Sequence, residues 1–182
     1  NAKAWIRDLT EEGIESHPGP RVISKNINGM AGRFDSAMHR IKTDHDRDPI
    51  LALMIQEHHI TQERARELRV VPEAHHKHGL LFLYAARPAN EGKGGTAIVI
   101  PHDSIERKKG ESLGTAIERV QSSVKRRPDG RMITATILIE GNEVSLTSIY
   151  APVDKTQRAA FYTAIAPNIA KHSLIGMDAN CV

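Results

Sequence analysis

The chain has 182 residues, with 25 Lys or Arg, 22 Asp or Glu, and a single cysteine. That length suits one domain of ordinary size or a piece of a larger one. No apolar run approaches the roughly 20 residues needed to span a bilayer, so we predict no membrane-spanning segment. The lone Cys181 excludes an internal disulfide framework and a cysteine-based zinc site. The formal charge of +3 permits a polyanionic partner but does not require one.

Residues 1–20 differ in pattern from the rest of the chain. They begin with NAKAWIRDLTEE, which is acidic and lacks the apolar core of a secretory signal. They end in HPGP, where Pro18 and Pro20 oppose regular structure. We therefore predict a leader or linker over residues 1–20 and a folded domain over residues 21–182.

The first half of the folded part alternates apolar runs with polar stretches of helical spacing. The continuous apolar run 50–55 is typical of a strand that is buried on both faces. His75, His76 and His78 are expected to lie in a solvated loop rather than in a zinc site, because no helix-spaced partner set accompanies them. The predicted elements, in chain order, are strands at 22–27, 50–55, 80–85 and 96–100 and helices at 32–46 and 61–70.

The second half begins with the polar stretch 104–127, in which one strand is predicted near 117–124. Pro128-Asp129-Gly130 predicts a turn, because proline presets one dihedral angle and glycine accepts a positive one. Pro167 kinks or ends the helix predicted at 156–171. The mixture of strands and helices predicts α/β or α+β layers. The remaining predicted strands are 132–139, 144–150 and 173–177, of which the first two are joined by a turn at Gly141-Asn142.

Oxygen-bearing polar residues recur at the ends of the predicted strands. Side chains from distant positions can converge in the loops at one edge of a packed sheet. Carboxylate and amide oxygens are hard ligands that suit Mg²⁺, which leaves room for phosphate oxygens. Each residue alone is typical of a cap or a turn, but the recurrence at four strand ends favours one shared site. These residues are Asn26, Asn28, Gln56, Glu57, Tyr150, Asp178 and Asn180.

The order of several short segments resembles the endonuclease/exonuclease/phosphatase superfamily, and within it the endonuclease domain of LINE-type (non-LTR) retrotransposons. This resemblance implies a two-layer β-sandwich flanked by helices, the four-layer αββα arrangement of DNase I-like proteins. It also implies a divalent metal and hydrolysis of phosphodiesters. The segments are NINGM at 26–30, LALMIQEHHI at 51–60, GGTAIVI at 94–100, DGRMITATI at 129–137, SLTSIYAPVD at 145–154, RAAFY at 158–162 and LIGMDAN at 174–180.

The resemblance also implies a role for each strand-end residue. Glu57 and Asn26 match metal-binding positions, for which Mg²⁺ is expected and Mn²⁺ is an alternative. Asp178 matches the residue that orients or deprotonates the attacking water. Asn180 and Tyr150 match catalytic positions that contact the phosphate.

A second group of residues is expected to bind substrate. Asn28 matches a position that is often acidic in relatives. The basic triplet Lys125-Arg126-Arg127 adjoins the Pro-Asp-Gly turn and would grip a DNA backbone from beside the site, with salt-sensitive affinity. The alternative for such a charge run is a solvated surface. The substrate-binding candidates are Asn28, Arg126, Arg127 and Arg131.

One motif of the superfamily, a Ser-Asp-His with a further Asp upstream, does not occur in these residues. We therefore expect the domain to be incomplete at its C-terminus and to hydrolyse little or no substrate by itself. The missing part would add strands to the second sheet, so apolar surface should be exposed.

The leader carries a second resemblance. GIESHPGP at 13–20 resembles the 2A-type ribosome-skipping peptide, whose pattern is D-x-E-x-N-P-G-P. Gly13 and His17 replace the Asp and Asn of that pattern. A proline-rich linker explains the segment equally well.

Three functions stay open at this point. The leading one is a Mg²⁺-dependent DNA endonuclease of a retroelement, which would leave a 3′-hydroxyl for a reverse transcriptase domain of the same polyprotein. The second is a phosphatase or phosphodiesterase on small or lipid phosphates, since a fold does not settle the substrate. The third is a non-catalytic remnant. The retroelement resemblance implies that the full element acts inside the cell, in the nucleus.

Overall fold

The computed structural model describes residues 21–68 and 74–180. Five strands form the first sheet, in the order β1-β2-β5-β4-β3, and two helices follow strands of this sheet. The bounds are β1 Arg21–Asn26, α1 Phe34–Arg47, β2 Ile50–Gln56, α2 Gln62–Glu67, β3 Ala74–Lys77, β4 Leu80–Ala85 and β5 Thr96–Pro101.

Four strands form the second sheet, in the order β6-β7-β8-β9. Short 3-10 turns at His102–Ser104 and Ala166–Asn168 follow β5 and the last helix, and Pro167 lies in the second of them. The bounds are α3 Leu113–Ser122, β6 Lys125–Arg126, β7 Met132–Ile139, β8 Asn142–Tyr150, α4 Lys155–Ile165 and β9 Ser173–Asp178.

Two parallel strand pairs decide where the functional side chains lie. β1 runs parallel to β2 with Asn26 beside Gln56, and β8 runs parallel to β9 with Tyr150 beside Asp178. A parallel pair needs a crossover connection, which α1 supplies in the first sheet and α4 in the second. The carboxyl ends of all four strands therefore reach the same edge of the sandwich.

Apolar side chains build the predicted four layers. Met54 and Ile98 of the first sheet pack against Ile133 of the second, in a core that lies between the sheets. Phe34 of α1 packs its ring on the outer face of the first sheet, and Phe161 of α4 packs on the outer face of the second. Burying side chains of this size stabilises the fold by roughly 1.5–3 kcal/mol each. The αββα arrangement expected from the sequence is confirmed.

The region between residues 104 and 127 differs from the prediction. A helix, α3, occupies Leu113–Ser122, so the strand predicted near 117–124 is wrong. Ile117 and Val120 have high strand propensity, but together with Ala116 they form a helical stripe against the core between the sheets. Ser112 caps the helix by accepting a hydrogen bond from the backbone of Thr115 at 3.1 Å. Residues 74–77, expected in a loop, form β3.

Strand β9 lies at the edge of the second sheet and exposes apolar side chains. Leu174, Ile175 and Met177 are each more than two-fifths exposed, as expected for apolar surface in this region. None of the helices in residues 21–68 and 74–180 is long and apolar enough to cross a membrane. The leader at 1–20 with its 2A-like segment, and Cys181, lie outside the described residues.

Candidate active site

A side-chain amide joins two carboxylates where β1, β2 and β9 end. Nδ2 of Asn26 donates to Oε1 of Glu57 at 2.8 Å and to Oδ2 of Asp178 at 2.6 Å. An amide nitrogen carries two hydrogens, so both bonds can form at once. Asn26 and Asp178 are 152 positions apart in the chain, and the topology of the two sheets brings them together.

Two further predicted residues complete this cluster. Tyr150 and Asn180 lie next to Glu57, and the side chains of Glu57 and Asn180 both influence the pKa of the Tyr150 hydroxyl. The backbone N–H of Asn180 donates to Oδ1 of Asp178 at 3.1 Å. Both oxygens of Asp178 are therefore held, one by Asn26 and the other by Asn180. Hydrogen bonds therefore join Asn26, Glu57, Asp178 and Asn180 into one network, and Tyr150 lies beside it.

Arg158 of α4 anchors the loop that follows β9. The residue is 9% exposed, and its guanidinium donates to the carbonyls of Ala179 and Asn180. Nδ2 of Asn180 donates to the carbonyl of Ala151 at 2.7 Å, which ties the same loop to the end of β8. Arg158 lies in the RAAFY segment, but its sequence context gave no signal for a role near the site.

The backbone at the site adopts conformations that side-chain-bearing residues rarely take. Glu57, His59, Asn28 and Asn180 have φ angles of 55°, 60°, 45° and 48°. Such residues cost on the order of 1 kcal/mol or more each and persist where surrounding contacts hold them. Here the carbonyl of Glu57 accepts a bond from the N–H of Gly29 at 2.6 Å. Three of these four residues, Asn28, Glu57 and Asn180, are predicted site residues, so strained backbone conformations are concentrated at the site.

Two histidines that sequence reasoning did not place in the site support the turn after β2. Nε2 of His59 lies 3.2 Å from Oε2 of Glu57, so both oxygens of this carboxylate have partners. His58 is fully buried, with Nδ1 accepting from the N–H of Ile60 at 2.9 Å. Nε2 of His58 lies 3.1 Å from the carbonyl of Ala85. The hydrogen bonds of this buried ring fix the position of the turn that carries Glu57.

The electrostatics of the site favour a charged Glu57 beside a neutral Tyr150. Burial raises the pKa of Glu57, but hydrogen bonds from Asn26, His59 and Tyr150 and the charge of Lys93 outweigh it, so the pKa is lowered. Burial and the neighbouring Glu57 charge raise the pKa of Tyr150 to about 12. Glu57 is therefore an anion at neutral pH, and Tyr150 keeps its proton to donate.

The donor set fits a hard divalent cation. Glu57 and Asp178 supply carboxylate oxygens that share one amide partner, and Mg²⁺ characteristically takes one or two protein carboxylates. Within residues 21–68 and 74–180, no group of three His, Cys, Asp or Glu side chains is arranged to hold a metal ion. The candidate ligands are therefore the Glu57 carboxylate and the Asn26 amide, with the Asp178 carboxylate beside them and further positions left for water or substrate oxygens.

The substrate-binding candidates occupy two kinds of place. Arg131 lies at the site, with its guanidinium carbon 5.3 Å from the centre of the Tyr150 ring and Nη2 2.8 Å from Oε2 of Glu91. Asn28 is exposed beside the cluster, and its backbone N–H donates to Oδ1 of Asn26 at 2.9 Å.

The two arginines of the basic triplet are already engaged within the protein. Nε of Arg126 donates to the carbonyl of Tyr84 at 2.7 Å. Arg127 makes an ion pair with Asp129 at 2.8 Å. Lys125 is exposed. The role of this triplet in gripping DNA stays a prediction, with Lys125 the most accessible of its charges.

The fold is similar to that of several solved DNA-processing proteins. Comparisons with protein-family models and with curated proteins give no match. The endonuclease domain of TRAS1, a telomere-specific non-LTR retrotransposon, shares 15% identity at a TM-score of 0.53 over 90% of this chain and 60% of its own. An AP endonuclease from Leishmania major shares 12% identity at a TM-score of 0.52, over 79% of this chain and 44% of its own. An AP endonuclease from Archaeoglobus fulgidus shares 14% identity at a TM-score of 0.51, over 89% of this chain and 58% of its own.

These structures belong to the endonuclease/exonuclease/phosphatase superfamily. The chain spans 44–60% of their lengths. The fold expected from the short sequence segments, the DNase I-like sandwich of this superfamily, is therefore confirmed.

Proposed function

We propose that this chain carries the site of a Mg²⁺-dependent phosphodiesterase that cuts DNA, as the endonuclease domain of a retroelement. The observation that carries the proposal is the Asn26 amide that joins the carboxylates of Glu57 and Asp178 at 2.8 and 2.6 Å. Because one nitrogen bonds to both carboxylates, their oxygens lie at one place in the site, where a hard divalent cation would find the ligands it prefers. The likeness of fold to a retrotransposon endonuclease domain supports the same proposal.

The residues divide the chemistry of hydrolysis between them. Glu57 and Asn26 would hold the ion, and a bound Mg²⁺ would neutralise charge on the phosphate oxygens. Asp178 would orient the attacking water, since hydrogen bonds to both of its oxygens fix the direction of the carboxylate. Tyr150 would turn its single O–H from Glu57 to a phosphate oxygen. Removing one such donor typically lowers the rate by about 100- to 1,000-fold.

The proposed partner is the DNA backbone, approached from the turn at 127–131. Arg131 projects its charge next to Tyr150, where an anionic oxygen would bind. A reverse transcriptase domain in the same polyprotein, and action in the nucleus, rest on the retroelement resemblance.

The test is nicking of supercoiled plasmid by the 182-residue chain with Mg²⁺ or Mn²⁺. We expect weak or absent nicking, because the Ser-Asp-His motif is not among these residues, so the assay runs at high protein concentration beside a Mn²⁺ binding titration. EDTA should abolish any nicking, and Glu57→Gln or Asp178→Asn should lower it at least about 100-fold. Glu118→Gln, at an exposed carboxylate on α3, is the matched control and should change neither readout.

The outcomes separate the proposed function from its alternatives. Nicking that needs no divalent ion, or that survives Glu57→Gln, would contradict the metal-dependent proposal. Hydrolysis of inositol phosphates without cleavage of DNA would support the phosphatase alternative. Binding of Mn²⁺ with no hydrolysis of either substrate would leave a metal-binding remnant.

A further inference from the structure

Gln56 lies at the point where the two sheets meet beneath the site. It is the last residue of β2, directly before Glu57, and only 1% of its surface is exposed. Its Nε2 lies 3.0 Å from Oγ of Ser148 in β8 and 3.3 Å from the carbonyl of Gly176 in β9. Oγ of Ser24 in β1 lies 3.2 Å from the same nitrogen. One buried amide therefore contacts three other strands.

Each of these contacts lies two positions before a residue of the candidate site. In a strand, residues two apart face the same side, at a separation of roughly 7 Å. In each strand, the residue that contacts Gln56 and the site residue two positions later therefore move together. The pairs are Ser24 and Asn26 in β1, Ser148 and Tyr150 in β8, and Gly176 and Asp178 in β9.

We propose that Gln56 is a positioning residue that fixes the relative heights of the four strand ends, so that Asn26, Glu57, Tyr150 and Asp178 meet. This inference rests on the proposed function for its effect on catalysis, but its structural part stands on the contacts of the amide alone. We do not assign Gln56 a contact with the ion or the phosphate. It acts on the site side chains through the strands that carry them.

The directions of the hydrogen bonds are determined by the partners. The hydroxyl of Ser148 donates to the carbonyl of Ile55 at 2.8 Å, so its lone pairs accept from Gln56. The carbonyl of Gly176 can only accept. The two hydrogens of Nε2 thus join β8 and β9 to β2, while the hydroxyl of Ser24 in β1 donates to Oε1 of the same amide at 3.5 Å. An apolar side chain at position 56 would leave the buried carbonyl of Gly176 without this donor, which destabilises the folded chain.

The packing around Gly176 shows how closely the strands approach. A Cβ atom at this position would lie 2.5 Å from Oγ of Ser24 and 2.9 Å from Cβ of Met54. Only a glycine lets β9 approach β1 and β2 to this distance, two residues before Asp178. The Gln56 amide bonds to the backbone at the same point, so hydrogen bonding and close packing fix the same separation.

The test compares Gln56→Met with Thr134→Val, each of nearly unchanged volume. Thr134 forms a buried hydrogen bond to Thr147 at 3.1 Å within the second sheet, so its loss should also lower the urea midpoint of unfolding. Gln56→Met should weaken Mn²⁺ binding by about 10- to 100-fold, the range for residues that orient metal ligands. Thr134→Val should leave Mn²⁺ binding within about twofold, although both variants unfold at lower urea concentration.

A second readout needs neither metal nor activity. The side-chain amide of Asn26 donates to two carboxylates, so its signals in a proton–nitrogen correlation spectrum of the metal-free protein report whether the strand ends are aligned. Gln56→Met should shift these signals toward those of a solvated amide, and Thr134→Val should not. Ser148→Ala should produce a smaller shift of the Asn26 signals in the same direction. The double variant should show no larger shift than Gln56→Met alone, because both substitutions remove the same hydrogen bond.

Equal effects of Gln56→Met and Thr134→Val on both readouts would overturn the inference, because Gln56 would then be only a stabilising core residue. If the Asn26 signals shift as expected while the wild type neither binds Mn²⁺ nor nicks DNA, the positioning role holds and the proposed function fails. Where nicking is measurable, kcat should fall with KM for DNA nearly unchanged. A rise in KM alone would also contradict a positioning role.

Discussion

Lowering the pH from 7 to 5 should destabilise the folded chain through one buried histidine. His58 lies under the turn that carries Glu57, with no exposed surface and with both ring nitrogens near backbone partners. Burial lowers its pKa to about 4, although bonds to the carbonyls of Ala85 and Thr96 raise it in part. In the unfolded chain the same ring has an ordinary pKa of 6.5.

The magnitude follows from these two pKa values. Because the folded pKa is the lower one, the unfolded chain takes up a proton first as the pH falls. The stability linked to His58 is therefore complete above pH 6.5 and is lost progressively toward pH 4. The total loss is about 3 kcal/mol at about 1.4 kcal/mol per pKa unit, of which about 2 kcal/mol falls between pH 7 and 5.

Urea unfolding followed by circular dichroism at pH 7, 6 and 5 measures this loss. The wild type should lose about 2 kcal/mol more than His58→Gln over that range, even though the variant starts less stable. His172→Gln, at an exposed histidine, should follow the wild type. Parallel curves for wild type and His58→Gln would contradict a lowered pKa for the buried ring, since they would mean that His58 titrates alike in the folded and unfolded chains.

Three further predictions concern a pair of glycines, the cap of α3 and an exposed lysine. Gly95→Ala should lower the free energy of unfolding by about 3 kcal/mol or prevent folding, because its Cβ would lie 2.4 Å from the His58 ring at a φ of 86°. Gly141→Ala has a similar φ of 77° but meets nothing within 4 Å, so urea unfolding should show a loss of only about 1 kcal/mol; equal losses would contradict the packing argument. Ser112→Ala should cost about 1 kcal/mol in thermal unfolding, and no change would mean that the cap is not formed in solution. Lys125→Ala should reduce the salt dependence of DNA binding by about one unit of slope, and an unchanged slope would argue against the basic triplet as a phosphate contact.

The sequence was most informative where apolar runs end abruptly at polar residues. The run at 50–55 corresponds to β2, and its continuous apolar character reflects burial between α1 and the second sheet. The segments at 145–154 and 174–180 contain the C-terminal parts of β8 and β9 with their polar ends. Strands and turns with strong local signals, bounded by glycine or proline, follow from local chemistry.

Features that depend on tertiary contacts could not be predicted in this way. Ile117 and Val120 favour a strand locally, and the core between the sheets selects a helix instead. In the sequence Gln56 is one of several polar residues at a strand end, but its contacts to three strands follow from the docking of the sheets. Arg126 and Arg127 read as a surface charge run, and their partners inside the protein are set by the fold.

The candidate site is likewise a joint product of both levels. Resemblance to short superfamily segments indicated which residues should meet, and the two parallel crossovers explain why they do. The left-handed conformations of Glu57 and His59 have no signal in the sequence, because residues of these types rarely adopt them.

The most direct measurement is a crystal structure of the chain soaked in Mn²⁺, with the ion located by its anomalous scattering. A divalent-metal site at the strand ends predicts one ion in contact with the Glu57 carboxylate, within the cluster of Asn26 and Asp178, and no ion there in Glu57→Gln. An ion at the pair of His45 and Asp103, which lies at the opposite end of β2, with none at Glu57, would contradict it. So would a fully formed cluster that stays empty at saturating Mn²⁺.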